Sequence, residues 1–129
     1  MDHGAYIREE YAVVGLFESG QTAEAAAAWR RMASNPEVPI PDRVRHLKNL
    51  SHALTRMGLL AQAEAAFDEG IAIEDRLLRG WMRESKAVWL AEQGRRAEAV
   101  AIYEGLLRQF WVDSASIQRY EKNLATLRS

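Results

Sequence analysis

The sequence contains no cysteine. That single absence excludes a disulfide framework, a thiolate metal site and a cysteine nucleophile together, and it fits a reducing compartment. Proline is almost as scarce, with only Pro36, Pro39 and Pro41, all within residues 35–41. Helices can therefore run undisturbed over nearly the whole chain. No apolar run approaches membrane-spanning length, and the start of the chain has no basic segment followed by an apolar one. The expectation is a cytoplasmic protein without a membrane partner. A strong excess of positive charge is missing too: the formal net charge is −1 at pH 7, so nucleic acid is not the expected partner.

Catalytic groupings are equally sparse. The histidines are His3, His46 and His52, and the six positions between the last two do not align them on one helical face. His46 follows Asp42 by one helical turn, which we read as a helix-start aspartate beside a surface histidine. No zinc-binding His-Glu-x-x-His, no phosphate-cradling glycine loop and no Gly-x-Ser-x-Gly elbow occurs. The residues predict no catalytic site, no metal site, no cofactor and no enzymatic activity.

What the chain does have is a repeat. Leu16, Gly20, Ala23, Ala25 and Trp29 are matched without gaps by Leu54, Gly58, Ala61, Ala63 and Phe67, and again by Leu90, Gly94, Ala97, Ala99 and Tyr103. Each glycine is expected to end a helix in a left-handed conformation that a side chain would penalise. The two alanines are expected to admit close approach of the following helix to its neighbour, and the aromatic to fill the space they leave. Leu16, Leu54 and Leu90, one turn before the glycines, face the same seam. The pattern specifies three helical hairpins.

This pattern resembles the tetratricopeptide repeat, whose units carry a small residue, a bulky residue, a turn glycine, an alanine and an aromatic in this order. The glycines stand 38 and then 36 residues apart, against roughly 34 for the standard repeat. The proline-rich residues 35–41 accommodate the first excess; with no breaker between Ile71 and Trp81, longer helices are expected to accommodate the second. The resemblance implies an all-α, right-handed superhelix of three hairpins and a terminal capping helix, one domain over residues 1–129. The expected repeats cover about 4–36, 42–75 and 77–111, with the cap at about 114–127, where Ile117, Tyr120, Leu124 and Leu127 share a face. Helices are expected at about 4–18, 22–34, 42–57, 61–73, 77–93, 97–110 and 114–127.

In the resembled family the first helix of each pair lines a concave binding face. Carried over by position, this implies that Arg45, Lys48, Asn49, His52 and Arg56 of the third helix line the groove. Tyr11 and Val14 flank them on one side, and Trp81, Ser85 and Val88 on the other. The third helix carries most of the local positive charge, and Glu10, Glu18, Glu84 and Glu92 lie on the flanking helices. The expected function is a scaffold that binds a peptide or protein segment, acidic and with apolar anchors. The family's carboxylate clamp is not expected, because its positions hold Glu10, Val14, Asn49, Trp81 and Ser85, and only Asn49 agrees. The alternative is a structural module that self-assembles, as a homodimer for instance, through exposed ends such as Phe110 and Trp111, with its groove empty.

Overall fold

The computed structural model describes residues 1–129 as seven helices with no strand. They are α1 (His3–Glu18), α2 (Thr22–Ser34), α3 (Ile40–Arg56), α4 (Leu60–Asp75), α5 (Trp81–Glu92), α6 (Arg96–Leu107) and α7 (Ser114–Arg128). None is long and apolar enough to cross a membrane.

The repeat signature has a definite backbone meaning. Gly20, Gly58 and Gly94 adopt φ values of 86°, 76° and 79°. The N–H after each glycine, from Gln21, Leu59 and Arg95, donates back to the carbonyl of Leu16, Leu54 and Leu90 at 2.9, 2.9 and 2.8 Å. The glycine N–H itself donates to Phe17, Thr55 and Ala91. This is the left-handed C-cap that satisfies carbonyls orphaned at a helix end, and the leucine-to-glycine spacing is the span of that cap. The residue after the glycine then starts the next helix: its carbonyl accepts the N–H of Ala25, Ala63 or Ala99.

Those second alanines are completely buried, whereas Ala23, Ala61 and Ala97 are exposed. The expectation that both alanines line the helix contact is therefore corrected. Two positions along a helix turn a side chain through about 200°, so only one of the pair can face the neighbour. Trp29, Phe67 and Tyr103 are buried as expected, with Leu54 and Leu90, while Leu16 is half-buried.

The largest boundary differences from the sequence reading fall at the starts of α3 and α5 and at the ends of α4 and α6. Helix α3 begins at Ile40, with Pro41 in its first turn, where a missing N–H costs nothing. Helix α5 begins at Trp81 rather than near residue 77. Although α4 is long, residues 76–80 form a turn, so the second excess is not absorbed by helix alone. Leu78 takes a φ of 54° there, and the buried Glu74 carboxylate accepts the Met82 N–H at 3.3 Å. A side chain from the end of α4 thus serves the first turn of α5, whose N-cap, Gly80, has none to offer. Helix α6 stops at Leu107, leaving Phe110 and Trp111 in the turn that follows rather than at a helix end.

The chain divides into two compact units, residues 1–70 and 71–129, with the division inside α4. In the first, α2 packs on both α1 and α3 around Val13, Trp29, Leu47, Leu50 and Phe67. Ser51, fully buried on α3, donates its hydroxyl to the carbonyls of Leu47 and Ala63 at 3.0 and 3.1 Å, which satisfies a buried polar group at the contact with α4. In the second unit α6 packs on α5 and α7 around Met82, Leu90, Tyr103, Leu106 and Tyr120. Each such side chain contributes about 1.5–3 kcal/mol through burial. Asp113 caps α7 by accepting the Ser116 N–H at 2.7 Å; Tyr120 and Leu124 are buried, and Ile117 and Leu127 half-buried, on the face the sequence indicates.

Candidate binding surfaces

Within residues 1–70, α1 and α3 lie side by side and parallel. Tyr6 meets His46, Glu10 meets Arg45, and the Phe17 carbonyl meets Arg56, at similar sequence separations along both helices. Ile7, Glu10, Tyr11 and Val14 line a cavity of about 350 Å³ on α1. Tyr11 is 77% exposed, an unusual setting for an aromatic ring, and Val14 is exposed beside it.

The basic residues of α3 divide into those engaged within the unit and those facing solvent. Arg45 pairs with Glu10 at 2.9 Å and Asp42 at 3.4 Å. Arg56 stacks 3.8 Å over the Phe17 ring and donates to the Phe17 carbonyl at 3.2 Å, covering the last turn of α1. Arg43 donates to the Ala33 carbonyl at 2.9 Å. His52 presents its ring edge-on to Phe67, 6.4 Å between centroids. Lys48 is exposed and Asn49 half-buried. Much of the positive charge expected to face a ligand therefore holds α3 to its neighbours, with exposed pairs contributing about 0–1 kcal/mol each.

His46 is not the surface residue expected from its spacing to Asp42. It is buried, and its Nε2 lies 2.6 Å from the Tyr6 hydroxyl. Tyr6 in turn donates to Asp42 Oδ2 at 3.2 Å, so the tyrosine stands between the two groups that the helical spacing paired directly. With the proton on Nε2, imidazole donates to the phenol and the phenol to the carboxylate, which leaves only the Nδ1 lone pair unmatched. Burial, reinforced by the Arg45 charge and opposed by Glu10, Asp42 and Glu9, lowers the His46 pKa. Burial and the neighbouring carboxylates of Glu10 and Asp42 raise that of Tyr6. The cluster holds α1 against α3 through a neutral imidazole and a neutral phenol, the phenol resting on the Asp42 carboxylate. The signal that could have found it is the repeat itself, which sets α1 beside α3.

Within residues 71–129, Trp81 is 61% exposed, with the Arg79 guanidinium 5.0 Å from its ring. Val88 is exposed and Ser85 half-buried farther along α5. Helix α7 lies against α5 through the Arg119–Glu84 pair, at 2.6 and 3.0 Å. Between these helices a largely apolar cleft of about 370 Å³ is lined by Ala87, Val88, Ala91, Tyr103, Asn123 and Leu127, with Glu92 among its walls. Asn123 donates to the Tyr103 hydroxyl at 3.3 Å, fixing one wall. Asn123 and Leu127 were not among the expected groove residues. The sequence showed α7 as a cap, and only its contact with α5 makes it a wall.

No group of histidine and carboxylate side chains suited to holding a metal ion is present. Family models, curated proteins and solved structures were all compared with the chain, and none matches it.

Proposed function

We propose that the chain is a protein-interaction module of the tetratricopeptide kind, its three hairpins and final helix forming a right-handed superhelix that docks a peptide or protein segment on its first-helix faces. The observation that carries this reading is the exposure of apolar side chains at matched repeat positions. Ile7 and Trp81 stand at the same distance before Gly20 and Gly94, and so do Val14 and Val88; all four are exposed. Their counterparts before Gly58 are Arg45 and His52. Tyr11 adds an anchor on α1, and Lys48 and Asn49 add polar selection on α3. Aromatic anchors with a few polar neighbours suit segment recognition, where a small number of side chains carries most of the affinity.

The test begins with peptides selected from a displayed random library against the whole chain. Their affinities are then measured for wild type, Tyr11→Ala, Trp81→Ala and Lys48→Glu. We expect losses of about tenfold or more for the aromatic variants, a typical anchor effect, and a preference for acidic peptides that Lys48→Glu reverses. Peptides that bind all four proteins equally well would sink the reading. Arg56 is not a suitable probe, because its contact with Phe17 makes it part of the fold.

A further inference from the structure

The two turns at one end of the α5–α6 hairpin, residues 76–80 and 108–113, carry side chains that the groove reading does not use. The turns meet: a Cβ on Gly80 would stand 3.4 Å from the Trp111 ring and 2.7 Å from Leu106. From these turns Leu77, Leu78 and Phe110 project outward, 36%, 51% and 89% exposed, with Trp111 half-buried behind them. The same two turns carry Arg76, Arg79 and Arg108.

The carboxylates of this end do not balance the arginines. Asp75 is matched by Arg83, Glu74 is buried against the Met82 N–H, and Asp113 caps the first turn of α7. The end is locally positive although the chain as a whole has a net charge of −1.

We infer that this end of residues 71–129 docks peripherally on the surface of an anionic lipid membrane, Leu77, Leu78 and Phe110 entering the headgroup boundary while Arg76, Arg79 and Arg108 meet lipid phosphates. The combination decides the occupant. A second copy of the chain would bring the same arginines against one another. A folded protein would have to supply a pocket for each protruding side chain, whereas a lipid interface accepts leucine and aromatic tips without one and attracts the flanking cations. The contact is interfacial and needs no spanning segment. Of its residues only Arg79, 5.0 Å from the Trp81 ring, touches the proposed groove, and the substitutions that test it spare both, so either proposal can fail alone.

The experiment is flotation of the full chain with vesicles of phosphatidylcholine alone or mixed with an equal part of phosphatidylglycerol. Binding is expected only to the anionic vesicles and is expected to fall as salt rises from about 50 to about 300 mM. Arg76→Glu with Arg108→Glu should weaken it about tenfold or more. Leu78→Asn with Phe110→Ser should weaken it comparably; asparagine tolerates the positive φ of position 78. Phe110→Ser alone, at a site too exposed to affect folding, serves if the pair disturbs the circular dichroism spectrum. Absence of binding to anionic vesicles, or binding indifferent to these substitutions, overturns the proposal. So does a concentration-dependent dimer in sedimentation that Phe110→Ser dissolves, which would make a second copy the occupant.

Discussion

The hydroxyl of Tyr6 lies 2.6 Å from Nε2 of His46, joining α1 to α3 across forty positions of sequence through two buried side chains. Burial of the imidazole makes the helix contact sensitive to proton concentration. His46 is held neutral in the folded chain, with a pKa below the ordinary 6.5. Between the folded and unfolded values the unfolded chain binds the proton and the folded chain does not, so this contribution is complete above about 6.5 and is lost as the pH falls through that window.

Urea unfolding of wild type and His46→Gln at pH 7.5 and 5.5 checks the sign. Wild type should lose more stability on acidification than the variant, which has no imidazole to charge. Tyr6→Phe, which orphans Nε2 in the core, should cost about 1–3 kcal/mol at pH 7.5. Equal acid sensitivity in wild type and His46→Gln would contradict the account.

Glu74 works in the opposite sense. Burial raises its pKa above 4.5, against the bonds from the Met82 and Trp81 N–H groups and the charges of Arg79 and Arg83. The folded chain then holds the proton more tightly than the unfolded chain, and stability falls as the pH rises from about 4.5 through the folded value. The stability of wild type relative to Glu74→Gln should therefore decline between pH 4.5 and 7.5. A difference that stays constant with pH would show that the carboxylate is not so perturbed.

The repeat glycines separate conformation from space. A Cβ on Gly58 would meet nothing within 4 Å, yet the residue sits at φ 76°. Gly58→Ala should cost about 1–2 kcal/mol from backbone strain alone. Gly105, inside α6, has only Arg108 near its missing Cβ, at 3.8 Å. Gly105→Ala should stabilise by about 0.5–1 kcal/mol, because alanine loses less backbone entropy in a helix. Thermal melts of both variants, with opposite shifts expected, make the comparison.

Local chemistry made the hairpins legible. The recurrence of leucine, glycine, alanine and aromatic at fixed intervals is a backbone requirement, since a left-handed cap spans those positions whatever lies around it. The helix at residues 114–128 was equally plain from Asp113 and the apolar positions that follow. Exposed groove candidates could be named but not sorted. Charge in a sequence does not reveal whether Arg45 reaches a ligand or Glu10, nor that Arg56 covers Phe17.

The sequence by itself determined seven helices and three capped turns, because periodicity, left-handed glycines and helix ends are properties of neighbours along the chain. Only the tertiary structure decided that His46 is buried against Tyr6, that the Glu74 carboxylate serves the start of α5, and that α7 walls a cleft with α5. Each of these depends on which side chain a neighbouring helix brings within hydrogen-bonding or packing distance. Helical spacing orders the side chains of one helix, but packing assigns their partners.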